Sequence, residues 1–99
     1  MELAAKPMVN PAVIYRQVVA NEAVLVNPDT AAALALNPSG CVVWQLVDGE
    51  RTVEQIVDGV RRHFRDVPDS VAEDVIVLLD TLAQDAFVGL EWVPEKGAT

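Results

Sequence analysis

The chain has 99 residues, which is the usual length of one domain, and 52% of them are hydrophobic although five in total are Phe, Trp or Tyr. This composition predicts an aliphatic core and argues against a large aromatic cofactor cage. Seven Lys and Arg oppose 15 Asp and Glu, and the resulting net charge of −8 disfavours contact with nucleic acid or an anionic membrane.

The cellular compartment and the division of the chain into segments are predicted from a few further features. Cys41 is the single cysteine, which excludes an internal disulfide. There is no apolar stretch of membrane-spanning length and no signal-peptide-like run in the first residues, so we expect a cytoplasmic protein without membrane association. Proline placement predicts a flexible N-terminal segment over 1–11, a folded domain over 12–93 and a flexible C-terminal tail over 94–99.

Two short strands are predicted first. Residues 13–20 mix β-branched, aromatic and polar side chains, as a half-exposed strand does, and residues 23–27 follow after a polar break. The sequence Asn-Pro-Asp-Thr at 27–30 predicts a turn, because Pro presets φ while Asn and Asp bond back to the backbone.

A third strand is predicted over residues 31–36, with the sequence AAALAL. Alanine favours helix, but six residues between a turn and Asn37-Pro38 leave too little room for one. A period of two places Ala32, Leu34 and Leu36 toward the core and leaves a smooth alanine face outside. As a sheet edge, this strand has no protecting Lys or Pro and is suited to accept an added strand. The alternative is that residues 87–93 or an oligomer partner cover the edge.

Three helices are predicted in the second half of the chain. The first begins at Asn37 and runs to about Val47, and capping boxes that start at Thr52 and Ser70 open the second and third. Core stripes follow at helical spacing, and residues 87–93 form either a last short strand or an extended tail. The stripe of the second helix contains Val53, Ile56, Val57, Val60 and Phe64, and that of the third contains Val71, Val75, Leu78, Leu79 and Leu82.

The third helix carries more apolar surface than a core stripe requires. Residues 75–79 are apolar at five consecutive positions. At about 100° per residue, Val77 points about 200° away from Val75. Either Val77 is an ordinary exposed valine, or the helix lines a groove on a second side.

Catalytic chemistry is not indicated by any residue pattern. His63 is the single histidine and has no second metal ligand near it, so we expect an ordinary helix-end residue. Cys41 lies in the first turn of a helix without a nearby base, so we expect a small buried residue. The carboxylates are scattered over predicted solvent-facing surfaces, and the glycines form no phosphate-binding loop. We therefore predict no catalytic residue, no metal site and no cofactor.

Three stretches carry a family resemblance: Leu-Asn-Pro-Ser-Gly at 36–40, Asp-Gly-Glu-Arg-Thr-Val at 48–53, and the helix over 71–86. Together they resemble the PqqD family of peptide chaperones, also called RiPP recognition elements, over about residues 12–90. The resemblance implies an α+β, winged-helix-like fold with three N-terminal strands followed by three helices. It also implies a non-catalytic role, in which the leader of a ribosomally made precursor peptide is bound and presented to a radical-SAM or other peptide-modifying enzyme, in PQQ biosynthesis or a related pathway.

The resemblance further implies that the leader adds as a strand beside the third strand and packs on the third helix. The alanines of the third strand depart from the bulkier residues that many relatives carry there. Carried onto this chain, the peptide-binding residues are Ala31, Ala32, Ala33, Leu34, Ala35, Leu36, Asp74, Val77, Leu78 and Thr81.

Two other functions compete with peptide binding as interpretations of this sequence. A winged-helix DNA-binding regulator needs a basic recognition helix, whereas residues 70–85 contain four acids and no Lys or Arg. A structural oligomerisation module would pair its edge strand with a sister chain, so the protein is expected to be a monomer or a strand-swapped homodimer. The acidic balance of the chain predicts a leader with some basic character.

Overall fold

The computed structural model describes residues 1–90, in which three main strands precede three helices and a short strand lies near each end. This arrangement confirms the predicted α+β fold. No helix in the described part is both long and apolar enough to cross a bilayer. In chain order the elements are β1 (Met8–Val9), β2 (Ile14–Val19), β3 (Glu22–Asn27), β4 (Ala32–Leu36), α1 (Pro38–Leu46), α2 (Val53–His63), α3 (Val71–Gln84) and β5 (Val88–Gly89).

The main sheet is antiparallel, with strand order β2-β3-β4. Leu25 pairs with Leu34, and Ala23 pairs with Leu36. These side chains point toward the helices, and Ala23, Leu25 and Leu36 are almost fully buried. The pairing keeps the period of two that the sequence predicts, so one face of the sheet joins the core.

A second, two-stranded sheet joins the ends of the described chain. Val9 pairs with Val88, and Met8 pairs with Gly89. The predicted last strand therefore exists in part, but it pairs with β1 and does not cover β4. Residues 91–93, the remainder of that prediction, and the predicted tail over 94–99 lie outside the described residues.

The segment over 1–11, predicted to be flexible, is hydrogen-bonded to the rest of the domain. The backbone N–H groups of Val53 and Glu54 donate to the carbonyls of Ala5 and Leu3, at 2.9 and 3.1 Å. These two N–H groups belong to the first turn of α2, where a helix has no internal acceptors for them. The N-terminal segment thus supplies acceptors that α2 lacks, which is a long-range effect that local composition does not reveal.

The Asn-Pro-Ser-Gly sequence at 37–40 has a structural role at the start of α1. The side-chain oxygen of Asn37 accepts from the backbone N–H of Gly40 at 2.8 Å, and Pro38 occupies the first turn. A Cβ at Gly40 would lie 3.1 Å from Leu36 Cδ2, so glycine allows the helix to approach the end of β4 closely. These family-like residues therefore fix the turn from β4 into α1.

The turn between α1 and α2 accounts for the second family-like stretch. Gly49 has φ +80°, a conformation that suits glycine, and the predicted capping box of α2 is present between Thr52 and Gln55. The Asp48 carboxylate accepts from the backbone N–H groups of Glu50 and Arg51 at 2.9 and 2.8 Å, and from the Arg51 guanidinium at 2.7 Å. Residues 48–53 therefore fix the conformation of the loop between α1 and α2.

The Asp48 loop makes stability depend on acid pH. The pKa of Asp48 lies below its ordinary 3.8, first because of the Arg51 backbone N–H and then because of that of Glu50. The unfolded chain therefore binds more protons in this range, so the stabilisation is complete above about pH 4 and is lost as pH falls through the folded-state pKa.

Asp48→Asn is accordingly expected to lower the thermal midpoint at neutral pH and to flatten its fall below about pH 4. Thermal unfolding of the wild type and the variant between about pH 7 and about pH 2 measures this difference. Asp29→Asn in the β3–β4 turn is the control, since it changes an exposed carboxylate elsewhere. Parallel pH profiles for wild type and Asp48→Asn would contradict the assignment.

Helix α3 begins without the predicted capping box. Ser70 has φ −80° and ψ 5°, which is not the extended conformation of a capping serine, and its side chain makes no cap hydrogen bond. Its hydroxyl donates to Asp74 Oδ2 at 3.2 Å instead. The predicted stripe is confirmed at its centre, where Val71, Val75, Leu79 and Leu82 are buried, while Leu78 is partly exposed.

Candidate functional site

One end of α3 is attached to the main sheet by Asn27. This side chain is fully buried, and its amide donates to the carbonyls of Asp85 and Ala86 at 2.9 and 3.1 Å. Asn27 is also the ladder partner of Ala32, the first residue of β4. The C-terminal end of α3 therefore lies beside the start of β4.

A second buried asparagine supports the same attachment. Ala86 has φ +60°, and its carbonyl also accepts from the Asn10 amide at 2.9 Å. The Asn10 backbone N–H donates to the carbonyl of Phe87 at 3.0 Å. The sequence predicts Asn27 as a turn residue, and its side-chain oxygen does accept from the Asp29 N–H at 3.0 Å. The bonds from its amide to α3 were missed, because a turn-forming Asn gives no local signal of a distant partner.

The other half of α3 faces α1 across a cleft of about 310 Å³. Because α1 directly follows β4, this cleft lies near the end of β4. Helix α3 therefore runs in the direction opposite to β4, with its N-terminal half at the cleft. The cleft is lined by Ser39, Val43, Val60, Phe64, Asp66, Val67, Pro68, Val71, Asp74, Val75 and Leu78.

Strand β4 forms one edge of the main sheet, because within residues 1–90 its ladder partner is β3 alone. Ala32 and Leu34 are half-buried and Leu36 is buried, while Ala33 and Ala35 are exposed on the outer face. The predicted alternation is thus confirmed. Ala31 lies before the strand with φ +61°, so the strand is one residue shorter than predicted.

The predicted residues of α3 fall into two groups. Asp74 and Leu78 line the cleft, whereas Val77 and Thr81 are exposed further round the helix. Val77 is 62% exposed, as its angular position predicts, and its carbonyl accepts from the Thr81 hydroxyl at 2.9 Å. The flank of α3 that faces the cleft is therefore that of Leu78 and not that of Ile76.

The remaining cleft residues were not predicted as site residues. Phe64 was assigned to the core stripe of α2, but it is the C-cap of that helix and only half-buried. Val67 follows it in the loop to α3 and is also half-buried. Two large apolar side chains so close to a helix end are only a weak sequence signal of a binding site. They line the cleft because of the conformation of the loop.

A smaller cavity of about 190 Å³ adjoins the other side of α1 and includes Tyr15, Cys41 and His63. The Tyr15 ring stacks on Trp44, with ring centres 6.5 Å apart, and desolvation together with Cys41 raises the pKa of its phenol. Cys41 is buried, as predicted. Within residues 1–90 no three His, Cys, Asp or Glu residues are grouped to hold a metal ion.

Comparison with known proteins places the fold. The sequence profile of coenzyme PQQ synthesis protein D (PqqD) matches residues 22–88, from β3 through all three helices to β5. The chain belongs to the PqqD family. The match includes β4, α3 and every residue that lines the cleft. No curated protein matches the sequence significantly.

Two solved structures share this PqqD-family fold. TbiB1, solved in complex with the TbiA(beta) leader peptide, has 22% identity and a TM-score of 0.70, over 87% of this chain and 99% of TbiB1. The heterocyclase TruD has 22% identity and a TM-score of 0.61, over 92% of this chain but 12% of TruD. At this identity the likeness establishes the fold alone, which occurs both as nearly a whole chain and as a small part of a larger enzyme.

Proposed function

We propose that this protein binds the leader of a ribosomally synthesised precursor peptide as an added strand on β4 and presents it to a peptide-modifying enzyme. The observation that carries the proposal is the edge of β4, which no other strand within residues 1–90 covers and whose end leads into α1 at the apolar cleft. Backbone groups of the edge provide affinity in such complexes, and pockets for alternate side chains provide selectivity. The protein itself is proposed to be non-catalytic.

The two edges of the main sheet are not equally suited to receive a strand. The edge formed by β2 carries an irregular register between Gln17 and Val19 and the exposed charge of Arg16. Irregular pairing and charged side chains are common protections against strand addition. The edge formed by β4 pairs regularly at every position with β3 and has alanines on its outer face.

Geometry suggests how a leader would lie. A strand added antiparallel to β4 continues the pattern of the sheet and begins at the cleft, near the end of β4. Its alternate side chains then point toward the cleft and toward the outer face beside Ala33 and Ala35. Because the leader loses conformational freedom when it binds, we expect a Kd of roughly micromolar order.

The relatives support a partner enzyme as well as a peptide. TbiB1 was solved with a leader peptide, and TruD is a heterocyclase that contains this fold. We therefore propose a leader peptide and its modifying enzyme as partners, either a heterocyclase-type or a radical-SAM enzyme, in PQQ biosynthesis or another peptide pathway. The exposed acids Glu73, Asp74, Asp80 and Asp85 on and just after α3 favour this proposal over nucleic acid.

Amide measurements on the wild-type protein test the proposal. Short random peptides displayed on phage are selected on the protein, and the tightest binder is titrated into isotope-labelled protein. We expect slowed exchange at alternate amides of residues 32–36, because alternate N–H groups of a strand point to the open edge, and shifts along α3. Protection along Ile14–Val19 instead, or failure to recover any binder, would contradict the proposal.

Sedimentation separates this role from a structural one. A second copy of the chain is the competing occupant of the β4 edge. We expect saturating peptide to dissociate any dimer that uses this edge. A dimer that persists unchanged under saturating peptide would favour the oligomerisation module.

A further inference from the structure

Two carboxylates, Asp66 and Asp74, are the charged groups among the described residues that line the cleft. The other lining residues are apolar except for Ser39. Neither carboxylate forms an ion pair with a Lys or Arg within residues 1–90. Asp74 accepts one hydrogen bond, from the Ser70 hydroxyl. The cleft thus combines apolar walls with two exposed carboxylates that form no ion pair within the described residues.

This combination limits what occupies the cleft. Asp66 and Asp74 are both exposed in the free protein. A peptide that fills the cleft takes water away from its walls and from part of these carboxylates, and a carboxylate that loses water without gaining a cation is disfavoured. The overall charge of −8 adds to the negative potential. An acidic side chain placed there would be repelled, whereas Lys or Arg beside an apolar side chain satisfies both features at once.

We infer that the peptide recognised by this protein places a Lys or Arg against Asp66 and Asp74, at a fixed spacing from an apolar side chain that enters the cleft. This inference rests on the proposed function and specifies the chemistry of its ligand. In an antiparallel leader the basic residue belongs to the N-terminal part of the docked segment, because that part lies at the cleft. The acidic pair thus selects a positively charged side chain of the peptide, and the apolar walls select the size of its apolar side chain.

Peptide selection with matched variants tests the inference. Short random peptides on phage are selected in parallel on the wild type, on Asp66→Asn/Asp74→Asn, on Asp66→Lys/Asp74→Lys and on Glu73→Gln. Glu73 is the matched control, because it is an exposed acid next to Asp74 that does not line the cleft. Circular dichroism melting of each variant verifies the fold before selection.

The expected result is Lys or Arg at one position relative to a large apolar residue, on the wild type and on Glu73→Gln alike. The preference should disappear on the Asn pair and change to Asp or Glu on the Lys pair. For the best wild-type peptide, we expect about two- to fivefold weaker binding for each acid removed, and less at higher salt.

The outcomes distinguish this inference from the proposed function. Peptides that protect the β4 amides but carry no positioned Lys or Arg would refute the inference and leave the proposed function intact. The inference is also refuted if the selected peptides carry basic residues without fixed spacing, and do so equally on the wild type, on Glu73→Gln and on the Asn pair. Such peptides would be attracted by the net charge alone. If no peptide is retained by the wild type, both are wrong.

Discussion

Replacement of Asn27 by Ala is expected to destabilise the protein by about 2–4 kcal/mol and to lower the thermal midpoint by roughly 10–25 °C. The side chain is fully buried and takes part in three hydrogen bonds, to the carbonyls of Asp85 and Ala86 and from the N–H of Asp29. Its loss leaves buried groups without partners and releases the end of α3 from the sheet. Urea and thermal unfolding measure the change.

Asn21→Gly is the control for Asn27→Ala. Asn21 is exposed with φ +66°, a conformation that glycine adopts without strain. The free energy of unfolding of Asn21→Gly should therefore differ from that of the wild type by less than about 0.5 kcal/mol. Peptide affinity should fall in Asn27→Ala at temperatures where the variant remains folded, because the position of α3 relative to β4 is no longer fixed. A loss of stability under about 1 kcal/mol would show that water replaces the missing bonds and that Asn27 does not hold this end of α3.

Replacement of Leu78 by Gln is expected to weaken peptide binding by about 5- to 30-fold. Leu78 lines the cleft, and a polar amide there removes apolar contact that a bound side chain would make. Fluorescence anisotropy with the peptide selected on the wild type measures the loss of affinity.

Ile76→Gln is the matched control, because Leu78 and Ile76 are both half-buried residues that flank the core stripe of α3. Ile76 does not line the cleft. The two variants should lose a similar amount of stability, about 1 kcal/mol, but only Leu78→Gln should bind peptide weakly. Equal binding by both variants would show that the peptide does not enter the cleft.

Much of the fold could be predicted because its signals are local. Period-two alternation identified β4, and helical spacing identified the buried faces of α2 and α3. The capping box at Thr52 was correct, since Thr52 is extended and exchanges both hydrogen bonds with Gln55. The one at Ser70 was wrong, since Val71 N–H bonds to the carbonyl of Pro68 and Ser70 is not extended.

The site was predicted less completely. The sequence indicated that β4 lacks edge protection and that α3 has surplus apolar surface, and Asp74 and Leu78 do line the cleft. It could not show that Phe64 and Val67 line the same cleft or that Asp66 joins Asp74 there. These residues come from the loop between α2 and α3, and loop conformation depends on packing that a periodic pattern does not encode.

The sequence by itself determined the α+β order of elements, the acidic charge and the unprotected third strand, because composition, alternation and capping act over a few residues. The tertiary structure alone decided which edge of the main sheet pairs regularly, which flank of α3 faces the cleft and how α3 is attached. Those outcomes depend on pairs distant in sequence, such as Val9 with Val88 and Asn27 with Asp85. Each forms because folding buries polar groups that must then find partners far along the chain.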